Sequence, residues 1–142
     1  MANPADGPRA TVDVVIEVDA GIVLIRRRHP PEGWAIPGGF IDKGESAEDA
    51  ARREMREETS LDVELIALLG VYSDPRRDPR GHTISTVYVG RAQGHPRADD
   101  DAAEVGIFTE TNLPQPLAFD HGQILADYFH YRRTGLIPKP SS

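Results

Sequence analysis

Three glutamates in the stretch ARREMREETS have the residue type and spacing to do chemistry: Glu54, Glu57 and Glu58. On a helix, positions i, i+3 and i+4 bring carboxylate oxygens within reach of one small region. Carboxylates gathered in this way repel one another and lose solvation unless a cation lies among them. Because hard divalent cations prefer oxygen ligands, the spacing indicates a site for Mg²⁺ or Mn²⁺.

The helix that positions these glutamates is predicted to begin at Ser46, since Ser46 and Asp49 form a capping-box pattern, and to run to about Glu58. A helical wheel at about 100° per residue places the three glutamates on one face with small and apolar residues. That face holds Ala47, Ala50, Ala51 and Met55, and the opposite face holds Glu48, Asp49, Arg52, Arg53 and Arg56. The opposite face, with its mixed charges, is typical of a helix face in contact with solvent. We therefore expect the face with the three glutamates to turn toward the protein.

The remaining elements are predicted from β-branched and apolar runs separated by turn residues. A second helix is expected to be capped by Asp120 and Gln123, with an apolar stripe of Ile124, Leu125, Tyr128 and Phe129. The expected strands are 11–18, 21–25, 61–72, 83–90 and 105–108, with 29–39 as a loop. Two helices and several strands predict an α/β fold with a mixed sheet covered on its faces.

Length and composition restrict the class of protein. A chain of 142 residues fits a single domain 1–142, with 1–10 and 136–142 as loose termini. The net charge of −7 argues against a nucleic acid polymer as partner, and no apolar run suits a membrane span. Without cysteine or a signal-peptide pattern, we expect a cytoplasmic protein.

Residues 39–61 resemble the Nudix box, GX5EX7REUXEEXGU, where U is aliphatic. Every position fits except that Ser60 replaces the second glycine. The resemblance implies an α-β-α sandwich with a mixed sheet and a loop-helix-loop motif. It also implies hydrolysis, with Mg²⁺ or Mn²⁺, of the pyrophosphate in a nucleoside diphosphate linked to another group.

The resemblance further implies roles for the residues of the box. Glu54 and Glu58 would be metal ligands, Glu57 a ligand or the residue that holds a water on the metal, and the Gly38 carbonyl a further ligand. The expected catalytic set is Arg53, which orients the carboxylates, together with Glu57, Glu45 and a general base. Family members often take that base from a loop before a late strand, which makes Glu104 the candidate and Asp101 the alternate.

Ser60, the one exception in the box, affects the backbone conformation at the end of the helix. The family glycine serves as a left-handed helix cap, where a residue with a Cβ costs about 1 kcal/mol. We therefore expect either a strained Ser60 or a helix that ends differently.

The segment SDPRRDPRGH, residues 73–82, supplies a local group of cations in an acidic chain. Arg76, Arg77 and Arg80 are therefore candidates for substrate binding, and a turn with Asp–Arg pairs is the alternative. The segment resembles the ADP-ribose pyrophosphatase group of Nudix proteins, with Pro75 near a marker position, as does FDHGQIL (119–125). By the same resemblance, Arg27 at the end of the second strand would contact phosphates. Trp34 and Phe40 would either stack on a base or pack in the core.

The leading hypothesis is hydrolysis of ADP-ribose to AMP and ribose 5-phosphate. The alternatives are a nucleoside triphosphate pyrophosphohydrolase of the mutator type and a non-catalytic, nucleotide-sensing Nudix domain. A small-molecule nucleotide is the expected partner in each case. By analogy with related ADP-ribose hydrolases, a homodimer is a further expectation.

Overall fold

The computed structural model describes residues 7–99 and 102–140, in which seven strands and two α-helices lie. The strands are β1 (Arg9–Val18), β2 (Gly21–Arg27), β3 (Trp34–Ala35), β4 (Gly38–Phe40), β5 (Glu64–Tyr72), β6 (Thr83–Arg91) and β7 (Ala102–Phe108). The helices are α1 (Ala47–Thr59) and α2 (His121–Thr134). Asp101, the alternate general base, lies outside the described residues.

The strands form one mixed sheet with the order β3-β2-β1-β6-β5. In addition β4 pairs with β1, and β7 pairs with β2. The central pair β1–β6 is parallel and the other pairs are antiparallel. Strand β4 pairs with the first half of β1, and both strands contact α1.

The alternation of β1 determines which helix covers which face of the sheet. Val12, Val14 and Ile16 pack in one cluster with Ala50, Ala51 and Met55 of α1. Val15, between them, packs in a second cluster with the stripe Ile124, Leu125 and Tyr128 of α2, against which Phe129 also packs. The two helices therefore cover opposite faces, and the predicted α-β-α sandwich is confirmed.

Three predicted boundaries differ from the structure because strand pairing extends the local pattern. Arg9 pairs with Thr83, so β1 begins two residues inside the segment expected to be a loose terminus. The expected loop 29–39 contains β3 and most of β4, which pair with β2 and β1. Similarly, β7 begins at Ala102 rather than 105, since Ala102 pairs with Arg27.

The two helix caps were not predicted equally well. The Ser46 Oγ accepts a hydrogen bond from the Asp49 backbone N–H at 3.0 Å, as expected. The side chain of Asp120 makes no capping hydrogen bond, although the residue does precede α2. Its carboxylate instead accepts two hydrogen bonds from Arg77, which is 43 positions away in the chain.

Helix α1 ends on Ser60 in the left-handed conformation, with φ 62° and ψ 19°, so the first of the two alternatives holds and the helix does not end differently. We expect Ser60→Gly to raise the free energy of unfolding by about 1 kcal/mol, because glycine has no Cβ to strain there. Thermal melts with Ser60→Ala as the control check this, since alanine keeps the Cβ. An equal gain in both variants would contradict the explanation.

Neither helix in the described part of the chain is long and apolar enough to cross a membrane.

Candidate active site

Arg53 is the centre of a network of charged side chains on α1. Its Nε donates to Glu45 at 2.7 Å, and its Nη1 donates to both Glu54 and Glu57 at 3.0 Å. Its Nη2 donates to Glu45 at 2.9 Å and to the Phe40 carbonyl oxygen at 3.1 Å. The wheel placed Arg53 on the solvent side, but its long side chain folds back across the helix.

Glu45 is occupied in holding Arg53. It accepts two hydrogen bonds from that guanidinium and one from the Asp42 backbone N–H. The Arg53 hydrogen bonds are the main cause that lowers the pKa of Glu45 to about 2, and the Asp42 bond adds to them. Glu45 is therefore an ionised carboxylate that orients the arginine.

The three glutamates differ in how far they turn inward. Glu58 is buried and accepts a hydrogen bond from the Gly38 backbone N–H at 3.0 Å. The Glu54 carboxylate lies against Gly39, where a Cβ would collide with it, and burial raises the pKa of Glu54. Glu57, whose side chain is 44% exposed, stays at the edge and joins Glu54 through Arg53. The wheel was correct for Glu54 and Glu58 and less so for Glu57.

The chemistry of these donors suits a hard divalent cation, because α1 presents three carboxylates from one face beside the backbone of β4. In the described part of the chain, no three acidic or histidine side chains already converge as metal ligands. Arg53 separates Glu54 from Glu57, and the Gly38 N–H occupies Glu58. A cation at the predicted ligands Gly38, Glu54, Glu57 and Glu58 would therefore share these carboxylates with their present hydrogen-bond donors, since each carboxylate has two oxygens with several lone pairs.

Glu54 and Glu58 line a cavity of about 450 Å³ at the end of the sheet. The lining is also cationic and aromatic, with Arg9, Arg27, Phe40, Arg77, Arg80 and Phe119. The Arg9 guanidinium carbon lies 3.6 Å from the centroid of the Phe40 ring, and that of Arg80 lies 5.4 Å away. Phe119 has Arg27 at 4.8 Å and Arg80 at 5.2 Å from its ring. The cavity thus joins carboxylates for a cation to guanidinium groups suited to phosphate.

The arginines of segment 73–82 have three different roles. Arg77 is almost fully buried, at 4% side-chain exposure, and holds Asp120 at 2.8 and 3.0 Å and the Thr83 hydroxyl at 2.7 Å. Arg80 pairs with the buried Asp78 at 2.8 Å and reaches the cavity. Arg76 repeats that turn with Asp74 but is 90% exposed and does not line the cavity. The prediction that Arg76 binds substrate is therefore not supported, because its turn faces solvent.

Arg27 lies in the cavity wall, and its contact with phosphates stays a prediction. Its Nε donates to the Pro31 carbonyl oxygen at 2.8 Å. Of the two aromatic candidates, Phe40 lines the cavity, whereas Trp34 packs edge to face on Phe108 with ring centroids 5.1 Å apart. The core interpretation therefore holds for Trp34.

Glu104, the predicted general base, does not line the cavity. It pairs with Arg26 across β2 and β7, and forms an ion pair with that residue at 2.7 Å. The neighbouring pair, Ile25 and Val105, places Ile25 in the cavity wall. Since successive residues of a strand point to opposite faces, Glu104 points away from the cavity.

Three buried or strained residues of the cavity were not assigned from the sequence. Asp13 accepts a hydrogen bond from the Ser85 hydroxyl, and burial raises the pKa of Asp13 to about 6. Phe119 has a φ of 56°, which is unusual for a bulky residue. His121 accepts a hydrogen bond from the Ile36 backbone N–H at 2.9 Å through Nδ1. Asp13 was visible as a polar residue inside an apolar strand, and Phe119 and His121 lie in the segment FDHGQIL, which resembled the ADP-ribose pyrophosphatase group without giving either residue a role.

Burial, followed by the nearby charges of Arg77 and Arg27, lowers the pKa of His121 to about 3. Its folded-state pKa is thus below the unfolded value of about 6.5, so native-state stability falls as pH drops from about 6.5 to 3. We expect His121→Asn, which keeps an acceptor for Ile36, to remove this dependence. The unfolding free energy of the variant relative to wild type should rise by about 1.4 kcal/mol per pH unit between pH 6 and 4.

Denaturant titrations at several pH values measure this difference, and curves that stay parallel across the range would contradict it. Asp13→Asn is a useful control because its sign is opposite. Burial raises the pKa of Asp13 in the folded state, so the relative gain of that variant should grow as pH rises from about 4 to 6.

The fold is that of an α/β protein whose cavity brings carboxylate and guanidinium side chains together. The sequence pattern of the NUDIX domain family matches residues 7–128, so the chain belongs to the NUDIX domain family. This confirms the family that residues 39–61 predicted.

Three known proteins illustrate the similarity. The ADP-ribose pyrophosphatase of Methanocaldococcus jannaschii is 48% identical over 88% of this chain and 75% of its own length. The ADPR responsive transcriptional repressor NtrR of Acinetobacter baylyi is 31% identical over 86% of this chain and 53% of its own. The third is a crystal structure of the bifunctional NMN adenylyltransferase/ADP ribose pyrophosphatase of Francisella tularensis, complexed with AMP and a Mn ion. The match covers 90% of this chain and 43% of the Francisella chain, at 31% sequence identity and a TM-score of 0.75.

Proposed function

We propose that this Nudix protein hydrolyses ADP-ribose to AMP and ribose 5-phosphate with Mg²⁺ or Mn²⁺. The observation that carries the proposal is that the two segments resembling ADP-ribose pyrophosphatases form one wall of the cavity. Arg77 from the first segment holds Asp120 from the second, and Arg80 lies against Phe119. Glu54 and Glu58 line the same cavity, which supports a site where an anion held by the arginines would lie near the carboxylates.

The similarity to the Methanocaldococcus enzyme, at 48% identity over most of the chain, supports the same substrate. The Francisella structure, a bifunctional protein of which this chain covers 43%, contains AMP and a Mn ion, which is consistent with this product and this class of metal.

The residues of this chain would have two kinds of role, binding of the charged groups and orientation of the side chains that bind them. Glu54, Glu57 and Glu58, with the carbonyl of Gly38, would hold the cation. When bound, the cation neutralises charge on the phosphoryl oxygens and lowers the pKa of water. Arg53 and Glu45 would keep the carboxylates ionised and oriented, while Arg27 and Arg80 face the anion. The general base stays unassigned, because Glu104 points away from the cavity.

The test is to incubate the protein with ADP-ribose and Mg²⁺ and to separate the products by chromatography. AMP and ribose 5-phosphate in equal amounts, abolished by chelator and by Glu54→Gln, are the expected result. Conversion of 8-oxo-dGTP or dGTP to the monophosphate, with ADP-ribose left intact, would favour the mutator-type activity instead. If neither is hydrolysed while ADP-ribose binds saturably, the similarity to the Acinetobacter repressor would make nucleotide sensing the better explanation.

A further inference from the structure

The four arginines of the cavity differ in how far their hydrogen-bond donors are already occupied. Arg77 uses three of its nitrogens on Asp120 and Thr83, and Arg80 gives its Nε and Nη2 to Asp78. Arg27 donates to carbonyl oxygens of the 30–31 turn. Within residues 7–99 and 102–140, the Arg9 guanidinium makes no hydrogen bond and no ion pair, and its recorded contact is the face of Phe40 at 3.6 Å.

The position of Arg9 is nevertheless well determined. Its backbone N–H donates to the His82 carbonyl oxygen at 3.0 Å, and it pairs with Thr83 in the parallel ladder of β1 and β6. Phe40 of β4, whose ring lies under the Arg9 guanidinium, pairs with Thr11 of β1, the strand that also contains Arg9. Stacking on a ring fixes the plane of a guanidinium while leaving its N–H edge available.

Phe40 also connects Arg9 to the carboxylates. The Phe40 carbonyl oxygen accepts a hydrogen bond from Arg53, and the adjacent Gly39 lies against the Glu54 carboxylate. Through Phe40 and Gly39, the Arg9 guanidinium with its open donors is therefore connected to the carboxylates proposed to hold the cation. An acidic chain needs such an uncompensated cation to attract an anion into a cavity that already contains Asp13, Asp42, Glu54, Glu58 and Asp78.

We propose that Arg9 binds the diphosphate of the substrate, with Phe40 as the platform that orients it. This inference rests on the proposed function in that it assumes a nucleoside diphosphate compound as ligand. Arg77 is then held by its hydrogen bonds to Asp120 and Thr83, and the charge of Arg80 is compensated by Asp78. Arg9 supplies the charge-assisted hydrogen bonds to phosphate oxygens.

The test compares Arg9→Ala and Arg9→Lys with Arg133→Ala, which removes an exposed arginine in the last turn of α2 that pairs with Glu110. With ADP-ribose and Mg²⁺, Arg9→Ala should raise KM by about tenfold to a hundredfold and leave kcat within about threefold. Arg9→Lys keeps the charge but loses the planar pair of donors and the stacking on Phe40, so its KM should lie between those of wild type and Arg9→Ala. Wild-type KM should also rise with salt more steeply than that of Arg9→Ala.

Calorimetric titration with ADP separates the failure of this inference from the failure of the proposed function. If wild type does not hydrolyse ADP-ribose but binds ADP at least about tenfold more tightly than Arg9→Ala, the substrate is wrong and the role of Arg9 stands. If ADP-ribose is hydrolysed and Arg9→Ala matches Arg133→Ala in KM and in ADP affinity, the role of Arg9 is overturned and the function stands. Wild type that fails to bind ADP would overturn the role of Arg9 as well. Thermal melts establish that each variant is folded.

Discussion

Glu58→Gln is expected to lower kcat for ADP-ribose about a thousandfold while leaving the fold intact. Glu58 is buried in the cavity wall, four residues after Glu54 on the same face of α1. Glutamine keeps an oxygen that accepts the Gly38 N–H, so the local hydrogen bond survives. It removes one of the negative charges proposed to hold the cation, and the loss should therefore appear in kcat and in metal affinity together.

The matched control is Glu48→Gln, on the same helix but exposed, where the side chain contacts the Tyr88 hydroxyl at 3.2 Å. That variant should keep its activity within about twofold, since a surface carboxylate at a helix start contributes only a few tenths of a kcal/mol. Steady-state kinetics and Mn²⁺ titration measured on both variants check the prediction. Equal activity in the two variants would show that the inward face of α1 is not the metal site.

Replacing Arg53 with alanine is expected to damage both activity and stability. The arginine donates to three glutamates and to the backbone of Phe40, and without it Glu54 and Glu57 stand close together with no cation between them. We expect kcat/KM to fall at least about a hundredfold and the Tm to fall by about 5 °C. Arg53→Lys should not rescue either value, because one ammonium cannot reach acceptors spread over this distance.

A further readout distinguishes this charge effect from a simple loss of packing. With the guanidinium absent, added Mg²⁺ should raise the Tm of Arg53→Ala more than that of wild type, because the ion supplies the missing countercharge. Arg56→Ala, on the exposed face of α1 with a long contact to Asp62 at 3.5 Å, is the control. If Mg²⁺ shifted all three proteins equally, Arg53 would have no electrostatic role at the carboxylates.

The sequence by itself determined the local features, because these depend on neighbours a few residues apart. The Ser46 cap and the inward face of Glu54 and Glu58 follow from the geometry of one helix, whereas the sequence left two alternatives for Ser60. The β-branched and apolar run 11–18 likewise predicted a strand, the stripe of α2 predicted a buried helix face, and the spacing within residues 39–61 predicted the family.

Only the tertiary structure decided which residues share the cavity. Asp13, Arg77 and His121 meet there although more than a hundred positions separate the first from the last, and nothing local signals their pairing. Strand register decided which face of the sheet the Glu104 side chain lies on, since a shift of one residue turns a side chain to the other face. Two turns of the same Asp-Pro-Arg sequence show the limit most clearly: Arg80 reaches the cavity and Arg76 faces solvent. The sequence specifies each turn, whereas its direction depends on how Arg77 docks on Asp120 at the start of α2.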